Sequence, residues 1–412
     1  MTLIQTVREQ YEALPYPPRD PARELREVHH PASSELALAA HVLWGGQRRP
    51  TSAFRALDAG CGTGDSAVFM ATQLAEVGGQ VVGLDLSEAS LEITRQRAAA
   101  RGLTNLALIQ GRVEDLPALG LEPFDYVVSS GVLHHLPSPE TGLAAIRDVL
   151  KPGGGACIMV YGHYGRTAIY QLQSLFKIIA PPTLPTDERI RIVRETLGGL
   201  HGTHWAHLGK DSWTGEIGAQ GDAGLFDLLL HSVDRAYTVP EIYDWVASVD
   251  MRLVRWLLPY QYQAEFYAPR TDFSALTQEG REAAAELYNG RLMKHTFFVA
   301  STGTEIPTPP PLDDLAAVPT WLVDLDGVIR RQLESRRELE LEFDGLQFRF
   351  LLDPFRRTFL KLVDGQRTLG AILAEVAPRF PTHSQHELVA KWSDLQQGLS
   401  MFNLIGLYAG RS

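Results

Sequence analysis

The sequence predicts an α/β fold. A doubly wound, mainly parallel sheet carries a helical insertion and is followed by a smaller α+β domain of winged-helix-like pattern. Three observations predict it. An apolar run from Phe54 to Leu57 ends in Asp58 and meets the alternating glycines Gly60, Gly62 and Gly64 just before a helical segment. Further apolar strands alternate with helical patterns up to about residue 162, as parallel strands with crossover helices require. A proline-rich stretch, 303–320, then sets off residues 321–412.

Strand, glycine turn and helix form the unit that cradles a nucleotide at the carboxyl edge of such a sheet. Glycine serves because the backbone turns sharply and a Cβ would strike a ligand lying on the turn. The spacing is G-x-G-x-G after an acidic residue, which differs from the dinucleotide pattern G-x-G-x-x-G. Asp58 would repel a pyrophosphate at the helix start but suits a ligand carrying an ammonium group. A second strand, QVVGLDLS, ends in Asp85, whose carboxylate can accept from both hydroxyls of a ribose. A third, LALIQG, leads into Arg112, Val113, Glu114 and Asp115, where an acidic side chain can accept from an adenine amino group. A fourth, FDYVVSS, ends at Ser130 and runs into Gly131-Val132-Leu133-His134-His135-Leu136. The helix TGLAAIRDVL, the turn Lys151-Pro152-Gly153-Gly154 and the strand GACIMVYG complete the series.

In order and spacing, DAGCGTG, GLDLS, VEDLP, FDYVVSSGVLHHL and LKPGG resemble the class I S-adenosylmethionine-dependent methyltransferases. The resemblance implies a seven-stranded Rossmann-like sheet, S-adenosylmethionine as cofactor and methyl transfer as the activity. It places the methionine end at Asp58, Gly60, Cys61 and Gly62, the ribose at Asp85, and the adenine at Val113 and Glu114, with Leu86 and Ser130 beside them. Arg112 stands where many relatives have Asp, which leaves Glu114 or Asp115 for the adenine; Glu114 is the better positional match. In related enzymes an N-terminal helix closes over the cofactor. By that resemblance Tyr11 and Tyr16 are cofactor-binding lid aromatics; the alternative is that they staple the helix to the domain surface. His134 and His135 stand at the mouth of the site, where an imidazole can deprotonate a hydroxyl, an amine or a carbon acid. LHHL occurs in this family whatever the chemistry, so packing is the competing role.

A chain of 412 residues implies two or three units, and an apolar content of 45% supports full cores. No apolar run is long enough for a spanning helix, and the N-terminus lacks the basic and apolar blocks of a secretory signal. Two cysteines, Cys61 and Cys157, fit a reducing cytoplasm without a disulfide. With 38 Lys+Arg against 49 Asp+Glu the net charge is −11, which argues against nucleic acid as the partner. A small-molecule methyl acceptor is expected, with a peptide or protein as runner-up because of the C-terminal module. A homodimer is compatible with that module.

Residues 1–50 read as a helical lid: an amphipathic stretch, 3–14, is broken by Pro15, Pro17 and Pro18, and a second helix follows with Ser33 or Ser34 as its cap. Residues 51–302 form the methyltransferase domain, closed by an antiparallel pair, RLVRWLLP and HTFFVAST. Its insertion, 163–238, holds helices at 169–179 and 186–200, the latter capped by Thr186, and is the expected substrate-specificity element. There, His231 is the third candidate catalytic residue, in a polar stretch with Asp222, Asp227, Asp234, Arg235 and Tyr237. His201, His204 and His207 with Asp211 could suggest a metal, but the i, i+3, i+6 spacing and nearby glycines oppose it, so no metal is expected. Tyr260, Tyr262 and Tyr267 either line an apolar pocket or are sheet aromatics. Residues 303–320 form an extended linker, and truncation near Thr302 is expected to leave a folded, cofactor-binding domain.

Overall fold

The computed structural model describes residues 3–27, 29–207, 210–323, 327–343 and 346–410. Its central sheet comprises β1 (Arg55–Ala59), β2 (Gln80–Asp85), β3 (Leu106–Gln110), β4 (Phe124–Ser130), β5 (Leu150–Gly162), β6 (Ala236–Tyr237), β7 (Met251–Trp256) and β8 (Lys294–Ser301). The order is β3-β2-β1-β4-β5-β8-β7, with the short β6 paired to β5. The first five run parallel, while β8 lies antiparallel between β5 and β7. This is the seven-stranded sheet expected, with β6 as an eighth strand contributed by the end of the insertion. The chain winds outward from β1 to β3, then crosses to β4 on the other side of β1. That reversal opens a crevice at the carboxyl ends of β1 and β4. Leu57, Val82, Val127 and Ile158 of these strands are buried in near-continuous apolar runs, as a sheet covered on both faces demands.

Five helices matter for the site: α1 (Leu3–Ala13), α2 (Leu36–Trp44), α3 (Asp65–Ala75), α4 (Glu88–Ala100) and α5 (Pro139–Asp148). The second starts differently from the expectation. Ser33 and Ser34 lie in a preceding 3-10 turn, and Glu35 in the cap position makes no capping bond. Its first N–H is donated instead to Gln73 Oε1 of α3 at 2.9 Å. A helix start buried against a neighbour can take its partner from that neighbour. The insertion adds α6 (Thr167–Ile179), α7 (Thr186–Gly198) and α8 (Lys210–Leu230). Thr186 is the first helical residue of α7, and Pro185 occupies the cap position without a side-chain bond. Ile169, Leu172, Phe176, Val193, Leu225 and Leu229 give the insertion its own core, and Leu14, just after α1, packs against it.

The C-terminal module pairs β9 (Val318–Trp321) with β12 (Ile405–Tyr408), and β10 (Glu338–Phe343) with β11 (Leu346–Leu351). Helices Pro354–Leu362, Leu369–Val376 and Gln385–Ser400 enclose a core around Trp392. From β11 the chain runs through these three helices to the short β12. The module is not set apart from the catalytic sheet in the way the proline-rich stretch led one to expect. Tyr260, taken as a pocket candidate, is fully buried in the module's core. Val318, Leu322 and Tyr408 belong to the same apolar cluster as α2 and residues of β1 and β4. Asn403 Nδ2 donates to Leu257 O at 2.6 Å, and Tyr408 OH to Ala37 O. The linker is laid down as well: a Cβ on Gly45 would stand 2.2 Å from Pro307 O.

Truncation after Thr302 is therefore expected to unfold the protein, against the expectation from sequence. Each apolar side chain left uncovered costs about 1.5–3 kcal/mol. A handful of them matches the ~5–15 kcal/mol net stability of a domain. Thermal melts with and without S-adenosylhomocysteine check this; a cooperative melt raised by the ligand would show that the module is dispensable.

Candidate active site

The glycine turn after β1 lies in close contact on two sides. Gly60 (φ 89°) and Gly62 (φ 50°) are left-handed. A Cβ on Gly60 would stand 2.3 Å from Val132 Cγ2, and one on Gly62 would stand 2.5 Å from Tyr16 O. The turn is thus held between the segment after β4 and the chain that follows α1. At the end of β2, Asp85 Oδ2 accepts from Gly62 N–H (2.8 Å) and Oδ1 from Ser87 N–H (2.9 Å). Burial raises its pKa above the ordinary carboxylate range. Asp58 is 2% exposed, and among the described residues its Oδ2 has no hydrogen-bond partner. Burial, with Asp85 and Asp65 nearby, pushes its pKa up to about 8. A buried carboxylate oxygen without a partner is costly unless a ligand satisfies it. The ammonium group of an amino-acid-like ligand fits that need, and these residues therefore fit S-adenosylmethionine.

After β3, Val113 is buried. Arg112 does not replace the missing Asp. Its guanidinium pairs with Glu114 Oε1 at 2.6 Å and so holds the carboxylate that the sequence assigns to the adenine. Leu86 O accepts from Gln110 Nε2 at 3.0 Å, and Ser130 is exposed at the end of β4. Cys61 is buried beside Gly83, and burial raises its thiol well above the usual range, so it packs as a small neutral residue.

The N-terminal segment is strapped over this turn by polar bonds. Ser87 Oγ donates to Tyr11 O (3.1 Å), and Glu12 accepts the first N–H groups of α4, from Glu88 and Ala89 (3.0 and 3.1 Å). Thr63 Oγ1 donates to Pro17 O at 2.6 Å, and Arg19 pairs with Asp65 at 2.6 Å. Behind them Arg97, 1% exposed, bridges Glu24 and Asp65.

The candidate histidines lie in a cluster of rings. His134 and His135 form a 3-10 turn with Leu133 after β4. The His135 ring stacks on His231 at 3.8 Å, and His134 packs on Tyr161 of β5 at 3.9 Å between centroids. Tyr11 OH donates to Asp227 Oδ1 (2.9 Å) and stands 3.3 Å from His231 Nε2, while Tyr161 OH donates to Asp227 Oδ2 (3.3 Å). All three candidate histidines are thus brought together, and Tyr11 joins them instead of facing the cofactor loop alone. Burial lowers the pKa of His134 and His135 and takes His231 down to about 3. Asp227 is raised by burial. Burial thus favours neutral imidazoles here, beside a carboxylate whose two oxygens accept from tyrosine hydroxyls.

One residue, Val233, orders the cluster through its two backbone polar groups. Val233 C=O accepts from His135 Nδ1–H at 2.6 Å, and Val233 N–H donates to His231 Nδ1 at 3.1 Å. A carbonyl only accepts and an N–H only donates, so the two neutral rings are opposite tautomers. His135 presents a lone pair at Nε2, and His231 a proton. Donor atoms of His135, Asp227 and His231 all lie within 4.8 Å of one another. With its Nδ1 lone pair taken, however, His231 has no second lone pair to offer a cation through Nε2. His201 and His207 lie in an exposed loop, bonded to Thr203 and to backbone carbonyls, and the side chain of Asp211 falls outside the described residues.

Sequence reasoning missed Tyr161 and Arg166. The Arg166 guanidinium lies 3.5 Å from the Tyr161 ring centre and pairs with Asp234 at 3.3 Å. Asp234 also accepts from Tyr170 and Gln173 (3.0 and 2.8 Å). No local pattern marks a strand-end Tyr or a single Arg for such a place. Asp222, by contrast, is exposed and paired with Arg194, and Arg235 is exposed over the Tyr237 ring. Tyr262 stacks on Trp256 and bonds His295 at 2.8 Å, so it belongs to the core and not to a pocket. Tyr267 is half-buried, donating to Gln261 O and accepting from Asn289.

Residues 50–180 match the model of a methyltransferase domain. Over 100 residues the chain is 42% identical to the demethylmenaquinone methyltransferase of Geobacillus kaustophilus. Residues 50–180 thus form a class I S-adenosylmethionine-dependent methyltransferase domain. That match covers 24% of this methyltransferase and 42% of the relative, so the chain spans less than half of that enzyme. A Synechococcus protein, syc1184_c, is 26% identical over 312 residues, 72% of each chain. In fold the methyltransferase is similar to PKMT2 from Rickettsia typhi, solved in complex with AdoHcy: TM-score 0.64 at 13% identity, over 92% of this chain and 76% of that one.

The raised Asp58 sets a test. Without cofactor it is protonated below about pH 8; pairing with an ammonium favours the carboxylate, so binding at pH 7 is expected to release close to one proton. Calorimetry in buffers of different ionisation enthalpy reads that release. Asp58→Asn should abolish it and weaken binding at least tenfold, since a charge-assisted bond is worth about 1.5–3 kcal/mol. The folded pKa lies above the unfolded value of about 3.9, so the stability Asp58 contributes falls as pH rises from about 4 to about 8. Asp58→Asn should therefore raise the melting temperature of the cofactor-free protein at pH 8 by a few degrees, at about 2–4 °C per kcal/mol.

Proposed function

We propose that this methyltransferase acts on a small molecule whose reacting atom is taken in among His134, His135, His231 and Tyr161, beneath α1 and the insertion. One observation carries the proposal. The hydrogen bond from Tyr11 to Asp227 joins α1 to the insertion directly over the buried histidines. An extended peptide needs an open groove, whereas a small molecule is enclosed and kept from water, which suits transfer chemistry. The name of the Geobacillus kaustophilus relative, a demethylmenaquinone methyltransferase, agrees with a small acceptor.

S-adenosylmethionine supplies an electrophilic methyl on a sulfonium when bound. The chain's own groups then have separate tasks. Asp58 answers the ammonium, Asp85 the ribose hydroxyls, and Val113 with Glu114 the adenine. Tyr11, Tyr16 and the strap close the site. A neutral histidine at the acceptor end takes the proton that the acceptor gives up.

Two measurements test this. Asp85→Ala should weaken S-adenosylmethionine binding by tenfold or more, at about 1.5–3 kcal/mol per charge-assisted bond; parental affinity in calorimetry would sink the ribose assignment. Formation of S-adenosylhomocysteine should follow addition of the low-mass fraction of a cell extract. Turnover with the protein fraction alone would favour a peptide acceptor instead.

A further inference from the structure

We propose that the acceptor's reacting group is an acidic hydroxyl, a phenol or an enol, which gives its proton to Nε2 of His135. The proposal rests on the enclosed small-molecule site just described and names its substrate class.

Direction comes first. The Val233 carbonyl fixes the His135 proton on Nδ1 and leaves Nε2 as the basic atom, and it also steadies the imidazolium once formed, because the 2.6 Å bond strengthens with charge. His231 is fixed the other way by the N–H of the same residue, so its Nε2–H points at the Tyr11 oxygen and Tyr11 in turn donates to Asp227. The hydrogen bonds of that second ring therefore run away from the acceptor and lock α1 in place.

Charge comes second. His135 is faced by His134 in its own turn, Tyr161 from β5, Arg166 ahead of α6, Asp227, His231 and Asp234 in and after α8, and Tyr11 across the His231 ring. Both carboxylates are already engaged: Asp227 by two tyrosine hydroxyls, Asp234 by Arg166, Tyr170 and Gln173. Among the described residues Arg166 Nε and both ring nitrogens of His134 are buried without a partner. An ammonium would meet a guanidinium and neutral rings with no free carboxylate, which is unfavourable. An oxygen nucleophile gaining negative charge meets the opposite: a buried cation with its Nε–H unpartnered, and the one N–H of the neutral His134 ring.

Acidity comes third. A buried imidazole held neutral is a weak base. It can take a proton from a hydroxyl with a pKa near that of tyrosine, about 10, far more easily than from an aliphatic alcohol. In the transfer the O–H bond breaks and its proton goes to His135 Nε2. The oxygen lone pair forms the new O–CH3 bond as the C–S bond breaks, and that electron pair returns to sulfur, leaving a neutral thioether. The imidazolium loses its proton to water when the product leaves.

Three measurements test the proposal. Nitrogen-15 imidazole spectra of the cofactor-bound full chain should show His135 bare at Nε2 and His231 protonated there at pH 7; the reverse tautomers, or a charged His135, would overturn it without any acceptor in hand. With 13C-methyl cofactor and the low-mass extract, the product methyl carbon should show the shift of an aryl or vinyl ether. An N-methyl product would overturn this proposal while leaving the small-molecule reading intact, and no product from any low-mass fraction would overturn both. With the acceptor identified, His135→Asn should lose about 10²–10⁴-fold in kcat with cofactor affinity unchanged. That loss should shrink as pH rises and the hydroxyl ionises without help. The parent should hold its rate through neutral pH and lose it only in acid, below the ordinary histidine range, because the basic form exists above the lowered His135 pKa. An equal loss at every pH would mean that His135 only packs.

Discussion

Polar groups withdrawn from water must find partners, and in the buried histidine cluster this constraint sets the arrangement. His134, His135, His231, Asp227 and Arg166 are all buried. Each unpartnered group there costs about 1–3 kcal/mol, so the cluster is knitted from whatever donors the fold can bring. The backbone of a single residue serves two imidazoles, one carboxylate collects two phenols, and another collects an arginine, a phenol and an amide. Among the described residues of the cluster, the His134 ring nitrogens and Arg166 Nε are left over, as is Asp58 Oδ2 at the end of β1.

The parts of this arrangement that were legible in the sequence are the local ones. The glycine turn, Asp85 two residues before the Ser87 cap of α4, and the His134–His135 pair after β4 each announce themselves within a few residues of chain. The parts that were hidden depend on distance. Tyr11 and Asp227 meet across 216 residues, and nothing near either one marks the pair. The start of α2 draws its partner from Gln73, 37 residues on, so a serine cap was sought where none was needed. Arg112 was visible as a departure from the family pattern, yet its grip on Glu114 appears only when the turn folds. Tyr260 follows a strand as a pocket residue would, and only the docked module turns it into core.

The module and the catalytic sheet share material to an extent that composition does not reveal. A run of prolines in 303–320 reads as an independent tether, because such stretches are stiff, extended and usually solvated. Here the run is short of free length. Gln47 Nε2 donates to Thr308 O and Arg252 to Thr304 O, so backbone carbonyls along it are occupied by the domain it leaves. Tyr408, near the far end of the chain, returns to α2.

That return has a consequence for how such a chain can be rearranged. Gly45 and Gly46 close α2, and side chains there would drive into Pro307 O and Leu407 O, at 2.2 and 2.4 Å. The two glycines form a notch that receives both the outgoing linker and the final strand. Grafting the module onto another methyltransferase would fail if only residues beyond the linker were moved, because the recipient would lack the notch. Likewise, variation at this pair is constrained by a module encoded more than 250 residues later, so α2 belongs to two units of the protein at once.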